Sequence, residues 1–226
     1  MRLSPSTLIF DINETLLDMQ AVKSAIADAL DGDDSLVPLW FSTLLHHSLV
    51  DMARGEFNDF SEIGAAALVM VAHGLGKTVS LEKAREIITA PMTSLPPHDD
   101  VIEGLSELKN RGYKLVALSN SSASGLQHQL EYAKIIQLFE SVLSVQSIRT
   151  YKPYPEVYQW ALQQCQTEAE DTMMIAAHGW DLAGAAACGL KTAFVRRQGK
   201  MPYPLAQQPD LSVSGLRELT SRLDKL

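Results

Sequence analysis

Asp11, which directly follows the apolar run Leu8–Phe10, could be a reactive residue near the N-terminus. A short apolar run that stops abruptly at polar residues is typical of a buried strand in a parallel sheet. Asp11 would then lie at the carboxyl end of that strand, which is the edge where ligands bind in open α/β sheets. Asp11 is therefore a candidate nucleophile, although an aspartate here could also simply cap the next turn.

Polar side chains also follow the later strands that the sequence predicts. A carboxylate, hydroxyls, an amide and a lysine that meet at one edge of a sheet are what an active site requires. Because the carboxyl ends of parallel strands share one edge, we expect these side chains to converge. In chain order the candidates are Asp11, Asn13, Thr15, Ser119, Asn120, Ser121, Ser122, Lys152, Tyr158, His178 and Asp181.

The elements that must position these residues alternate between strands and helices from about residue 97 onwards. This alternation predicts an α/β fold with a doubly wound parallel sheet. Residues 20–93 show helical periodicity with almost no strand signal, which predicts a small helical cap inserted after the first strand. We therefore predict a core of residues 1–17 and 97–226 and a cap of residues 18–96. The dipeptide Pro96-Pro97 marks the return to the core.

Composition restricts the possible partners. The chain of 226 residues is 46% hydrophobic and 20% charged, which is ordinary for a globular protein with a sizeable core. A net charge of -8 argues against a nucleic-acid surface. The small basic cluster of Arg196, Arg197 and Lys200 is interpreted as a solvated loop.

Cysteine usage and hydropathy predict the compartment. The two cysteines lack a Cys-x-x-Cys spacing, and the N-terminus has no signal-peptide pattern, so we expect a reduced, cytoplasmic protein. The longest apolar run, residues 65–72, is too short for a membrane span.

Together the motifs resemble the haloacid dehalogenase superfamily, and within it the type II 2-haloacid dehalogenases, which carry a helical cap after the first strand. The resemblance covers nearly the whole chain. Four motifs carry it: Phe10-Asp11-x-x-x-Thr15-Leu16, Leu118-Ser119-Asn120, Tyr151-Lys152-Pro153 with Tyr158, and His178-Gly179-Trp180-Asp181.

The resemblance implies a hydrolase with an aspartate nucleophile and a covalent aspartyl intermediate, which water then hydrolyses. Asp11 would be the nucleophile, and Lys152 would keep it ionised. Donors near Thr15 would stabilise developing charge, and Asp181 would position Lys152, the water or a metal. The substrate would be a small anionic organic molecule, and a homodimer is plausible. The residues expected to contact the substrate are Ile12, Asn13, Trp40, Phe41, Ser119, Asn120, Tyr158 and His178.

Two residues depart from the phosphatase branch of the superfamily. Asn13 stands where phosphatases carry an aspartate that protonates the leaving group, and an amide cannot do this near neutral pH. His178 stands where an oxygen ligand for Mg²⁺ is expected, which leaves Asp11 and Asp181 as the evident carboxylates. We therefore predict no cofactor. A Mg²⁺-dependent phosphatase acting on a small phosphorylated metabolite stays open as an alternative.

One residue departs from the dehalogenase branch. Type II dehalogenases place an arginine just after a tryptophan in the cap, whereas here Trp40 is followed by Phe41, which has neither the charge nor the donors of arginine. Either Arg54, His46 or His47 replaces it, or the substrate is not a simple 2-haloacid. A catalytically weak ligand-binding homologue is a further alternative.

Overall fold

The sheet has six parallel strands in the computed structural model, which describes residues 5–223. The strand order is β3-β2-β1-β4-β5-β6, so the chain builds outward from β1 in one direction and then returns to build in the other. This arrangement confirms the predicted doubly wound α/β fold. The strands are β1 (Thr7–Phe10), β2 (Lys114–Ser119), β3 (Ser141–Ser144), β4 (Thr172–Ala176), β5 (Lys191–Val195) and β6 (Leu211–Val213).

The central strands β1 and β4 are buried along their whole length. Their continuous runs of apolar and β-branched residues match a position in which helices cover both faces of a sheet. In register, Phe10 lies beside Ala117 of β2 and Ile175 of β4. The carboxyl ends of these three strands therefore lie next to one another.

Three of the described helices begin directly after a capping side chain. Asp59, Ser80 and Ser122 each accept a hydrogen bond from a backbone N–H in the first turn of the helix that they precede. The sequence predicts a final helix from about Gly215 to the C-terminus, and the end of that prediction lies outside the described residues. The helices are α1 (Gln20–Ala29), α2 (Val37–Arg54), α3 (Phe60–Gly74), α4 (Leu81–Met92), α5 (Val101–Asn110), α6 (Ala123–Tyr132), α7 (Pro155–Cys165), α8 (Gly179–Ala187) and α9 (Leu216–Leu223).

The helices α1–α4 form the cap that follows β1. The two chain segments that connect the cap to the core pair with each other: the Asp18 N–H donates to the Pro96 carbonyl at 2.8 Å, and the His98 N–H donates to the Leu16 carbonyl at 2.9 Å. These hydrogen bonds hold the entry to the cap beside its exit. The exact division at residues 17/18 and 96/97 stays a prediction.

One element escaped the sequence analysis, the edge strand β6. It has only three residues, of which Leu211 and Val213 are buried and Ser212 is exposed. Such a short alternation does not stand out from the loop around it. The strand becomes visible only because it pairs with β5.

Within the described residues, the apolar stretches of the helices are too short for any of them to cross a membrane.

A glycine in α8 controls how closely that helix approaches the loop that carries Lys152. A Cβ atom at Gly184 would lie 2.7 Å from the Pro153 carbonyl oxygen and 2.8 Å from Cε2 of Tyr158. These separations are well below ordinary van der Waals contact, so only glycine allows this packing. The close approach sets the position of α8 relative to Lys152.

We expect Gly184→Ala to lower the free energy of unfolding by about 1–3 kcal/mol, because the extra methyl overpacks the contact with Pro153. Gly74→Ala is the matched control, since a Cβ there would meet no atom within 4 Å. Urea unfolding of both variants measures the difference. An equal stability of the two would contradict the assigned packing role.

Candidate active site

Asp11 lies at the point where the strand order reverses, directly after β1 and between the ends of β2 and β4. Its N–H donates to the Ile175 carbonyl at 3.0 Å, so the strand ladder holds its backbone. The Asp11 residue is only 5% exposed. A cavity of about 990 Å³ lies between this sheet edge and the cap. Ligands of open α/β sheets bind at such a crevice.

Lys152 connects Asp11 to Asp181 in the interior. Its Nζ lies 2.8 Å from Asp11 Oδ1 and 2.7 Å from Asp181 Oδ2, and it also donates to the Leu118 carbonyl at 3.1 Å. Burial would lower the pKa of Lys152, but the two carboxylates raise it above its ordinary value. Lys152 is therefore a buried ammonium shared by two carboxylates.

Thr15 fixes the other oxygen of Asp11. Its hydroxyl donates to Asp11 Oδ2 at 2.6 Å and accepts the Ala177 N–H at 2.9 Å. Because the hydroxyl receives one hydrogen bond and gives another, its proton is directed at Asp11. The carboxylate is thus held in one orientation.

Tyr158 and Asp181 lie behind the reactive centre. The Tyr158 hydroxyl donates to Asp181 Oδ1 at 2.6 Å, and both residues are fully buried. Burial raises the pKa of Asp181 above its ordinary value even with Lys152 beside it. The structure places Tyr158 on Asp181 rather than on the cavity, although we predicted that it contacts the substrate.

His178 approaches Asp11 from the side of the cavity. Its Nδ1 lies 3.0 Å from Asp11 Oδ2, and its Nε2 lies 2.8 Å from Glu14 Oε2. Burial would lower the pKa of His178, but the hydrogen bonds to the two carboxylates raise it to about 9. His178 is therefore an imidazolium at neutral pH.

These surroundings also keep Asp11 ionised. Burial would raise the pKa of Asp11, but the charges of Lys152 and His178 hold it well below its ordinary value. The side chain is a carboxylate across the physiological range. A nucleophilic carboxylate must be in this state.

Glu14 is a site residue that the sequence analysis missed. Lys23 of α1 pairs with its Oε1 at 2.8 Å, and Lys200 pairs with its Oε2 at 2.6 Å. The signal for it was weak: an acidic residue inside the nucleophile motif, between Asp11 and Thr15. Nothing in that motif indicates which distant cations would face it.

Some atoms of the other polar residues have hydrogen-bond partners, and others have none among the described residues. Asn120 Oδ1 accepts the Lys152 N–H at 2.9 Å, whereas its Nδ2 is buried without a partner among the described residues. Trp180 Nε1, at the cavity, is likewise a buried donor without a described acceptor. Ser119 Oγ accepts the Ser121 N–H at 3.1 Å.

Asn13 lines the cavity within a network of amides. Its Nδ2 donates to Ser121 Oγ at 3.1 Å, and its Oδ1 accepts a hydrogen bond from Gln129 at 3.3 Å. Ile12, the residue between it and Asp11, is fully buried. The structure therefore brings Asn13 to the cavity and Ile12 beneath it.

The cap supplies an aromatic wall. The Phe41 ring stacks on His178, with 5.6 Å between ring centres and 19° between ring planes. Trp40 lines the cavity and donates its indole N–H to the Gly64 carbonyl at 2.8 Å. Lys200 Nζ lies 5.3 Å from the centre of the Phe41 ring. The ammonium of Lys200, on the loop after β5, thus places a positive charge in this part of the site.

The structure does not bring the three candidate substitutes for the missing cap arginine to the cavity. The Arg54 side chain is 63% exposed and lies near Asp51, and His46 and His47 pack against each other. None of the three lines the cavity. Their positions on α2 direct them away from the sheet edge, whereas Phe41 on the same helix faces it.

The interpretation of the basic cluster as a solvated loop was also wrong for two of its members. Arg197 donates to the Thr15 carbonyl at 3.0 Å and pairs with Asp100 at 2.9 Å. Lys200 pairs with Glu14. The loop after β5 therefore folds over Glu14 and Thr15, where it supplies donors to buried acceptors.

The described residues do not fit a Mg²⁺ site. The space between Asp11 and Asp181 is taken by the Lys152 ammonium, and the other oxygen of Asp11 accepts from Thr15 and His178. A hard cation needs several free oxygen ligands. Among residues 5–223, no cluster of three or more histidine, cysteine, aspartate or glutamate side chains could hold a metal ion.

A family model for haloacid dehalogenase-like hydrolases matches residues 5–189. The chain belongs to this family. It is 28% identical over 211 residues to an (S)-2-haloacid dehalogenase of Pseudomonas sp. strain YL, covering 93% of this chain and 90% of the relative. It is 29% identical over 225 residues to (S)-2-haloacid dehalogenase 4A of Burkholderia cepacia, covering 96% and 94%.

The fold comparison agrees with the family assignment. The structure of L-2-haloacid dehalogenase from Xanthobacter autotrophicus matches with a TM-score of 0.88 and covers 98% of this chain and 99% of that chain. The sequence identity is 24%, so this likeness concerns the fold. The chain is thus a haloacid dehalogenase-like hydrolase with the core and cap of that family.

The raised pKa of His178 predicts a pH-dependent contribution to stability. Its ordinary value is 6.5 and its folded value is about 9, so the contribution is complete below pH 6.5 and is lost as the pH rises through 9. We expect His178→Leu to cost up to about 3 kcal/mol more unfolding free energy at pH 6 than at pH 10.

Urea unfolding at both pH values measures this difference. His73→Leu is the matched control, because His73 is exposed at the end of α3. A cost of His178→Leu that is the same at the two pH values would contradict an imidazolium held by two carboxylates.

Proposed function

We propose that this hydrolase dehalogenates 2-haloacids through an ester on Asp11. The observation that carries the proposal is a buried, ionised Asp11 at the switch point of the sheet, held by Lys152 and Thr15 and next to a large cavity. The names of the (S)-2-haloacid dehalogenases that are similar over nearly the full chain support the same chemistry.

The hydrogen bonds of Asp11 favour Oδ1 as the attacking atom. Oδ2 accepts two hydrogen bonds, from Thr15 and His178, whereas Oδ1 accepts one, from Lys152. Oδ1 therefore keeps a lone pair for attack on the carbon that bears the halogen. The halide departs with the bonding electrons and needs no proton, which suits Asn13 in place of an acid.

Water then cleaves the ester at Cγ of Asp11. Lys152, in contact with Oδ1, protonates this oxygen as it leaves as the hydroxyl of the 2-hydroxy acid. The attacking water returns one proton to Lys152 and releases the other to solvent, so the Asp11 carboxylate is regenerated. Asp181, held by Tyr158, positions Lys152 for both steps.

Two unpartnered donors support an anionic substrate. Buried N–H groups without acceptors cost free energy in the free protein, and an oxygen of the substrate carboxylate would satisfy them. Asn120 Nδ2 and Trp180 Nε1 are such groups. We propose that they bind the carboxylate, and that no metal takes part.

The test is halide release from each enantiomer of 2-chloropropionate, with and without a chelator. We expect release from the S enantiomer that resists the chelator and falls to background in Asp11→Asn, because an amide cannot displace the halide. Asp28→Asn, an exposed change on α1, is the matched control and should keep full activity.

Other outcomes would overturn the proposal in defined ways. Chelator-sensitive release of phosphate from small phosphate esters, without halide release, would establish the phosphatase alternative. Tight binding of 2-haloacids without turnover would establish a ligand-binding homologue.

A further inference from the structure

Two donors face the same oxygen of Asp11 with geometry suited to a developing negative charge. The Thr15 hydroxyl lies 2.6 Å from Oδ2, and His178 Nδ1 lies 3.0 Å from it. In the ester proposed above, Oδ1 carries the substrate and Oδ2 is the carbonyl oxygen. Attack of water on Cγ would place the negative charge on Oδ2, at hydrogen-bond distance from both donors.

The protonation state of His178 follows from its partners. Each ring nitrogen faces a carboxylate oxygen, of Asp11 on one side and of Glu14 on the other. An ionised carboxylate only accepts hydrogen bonds, so both nitrogens must carry protons. His178 therefore presents a full positive charge, rather than a neutral N–H, to Oδ2.

Glu14 has little freedom to leave this position. Its backbone has a φ of 64°, which is uncommon for a residue other than glycine. Lys23 of the cap and Lys200 of the loop after β5 pair with its carboxylate. The Phe41 ring stacked on His178 restrains the imidazole from the cap side.

We propose that His178, held protonated by Glu14, forms with Thr15 the oxyanion site for hydrolysis of the Asp11 ester. His178 is then a catalytic residue rather than a substrate-binding one, and Glu14 is its positioning residue. This inference rests on the proposed function. It assigns to an imidazolium the charge stabilisation at the nucleophile that a metal ion could otherwise provide.

Hydrolysis of the Asp11 ester needs only water. The water oxygen bonds to Cγ, the C=O electron pair moves onto Oδ2, and the collapse of this intermediate breaks the bond between Cγ and Oδ1. The departing oxygen takes its proton from Lys152, as above. His178 and Thr15 keep their protons throughout and only strengthen their hydrogen bonds to Oδ2.

The assignment predicts that His178 acts on the second step more than on the first. Loss of one oxyanion donor slows a reaction by about 10²–10³-fold. We therefore expect His178→Leu to release a burst of about one halide per active site and then to turn over about 100-fold more slowly than wild type. The ester should accumulate, and the mass of the intact protein should rise by that of a 1-carboxyethyl group in place of a proton.

Rapid-quench measurement of (S)-2-chloropropionate turnover, combined with intact-protein mass spectrometry, provides these readouts. His73→Leu is the matched control and should behave as wild type, because His73 is exposed and does not line the cavity.

Glu14→Gln provides a second variant that leaves His178 in place. Without the carboxylate the imidazole loses its proton at a lower pH, because the Glu14 carboxylate raises the pKa of His178, so we expect the alkaline limit of kcat to lie at a lower pH than in wild type. Glu82→Gln, an exposed change in the first turn of α4, is its control and should leave the profile unchanged.

The outcomes separate the two proposals. If wild type gives no halide, not even one equivalent, the proposed function and this assignment both fall. If wild type turns over but His178→Leu keeps the wild-type rate, or loses burst and turnover together without accumulating ester, the oxyanion assignment alone is overturned. An unchanged pH profile in Glu14→Gln would overturn the positioning role.

Discussion

The buried ion pairs of Lys152 with Asp11 and Asp181 are the interaction on which the rest of the structure depends. Three charged groups that are almost fully removed from water would be costly to bury if any one lacked a partner. Each is paired within 2.8 Å, and the Leu118 carbonyl takes a further hydrogen bond from the ammonium. The site therefore tolerates little displacement of the elements that carry these side chains.

Several features of the fold hold these three charged side chains in position. The parallel ladder holds Asp11 through its N–H, and the absence of a side chain at Gly184 lets α8 approach the Lys152 loop. Tyr158 satisfies the oxygen of Asp181 that Lys152 leaves free. Packing and polar satisfaction thus act together, since the same close contacts that exclude water from the ion pairs also orient them.

A second layer of charge surrounds the first and connects the cap to the core. Glu14 pairs with Lys23 from the cap, with Lys200 from the loop after β5, and with His178 beside Asp11. Movement of the cap would therefore disturb the carboxylate that holds the imidazolium. This arrangement couples cap position to the charge at Asp11, and it places cations at the cavity even though Phe41 replaces the expected arginine.

The sequence by itself determined the fold class and the convergence of the candidate residues. Apolar runs that end in polar residues predict parallel strands, and parallel strands put their carboxyl ends at one edge, so the order of residues along the chain is enough to bring Asp11, Lys152 and Asp181 together. The number of residues that separate them does not enter that argument. The same logic did not identify which side chains face the cavity, because Tyr158 and Trp180 both lie near the start of a helix but have different surroundings.

Only the tertiary structure decided the partners of Glu14. His178 and Lys200 lie 164 and 186 residues further along the chain, and no local pattern links them to an acidic residue in the first loop. The same holds for Arg197, whose solvated-loop interpretation failed because its acceptor, the Thr15 carbonyl, is a backbone atom that sequence does not distinguish from any other. Local periodicity predicts elements, whereas the pairing of buried charges depends on the distances that packing creates.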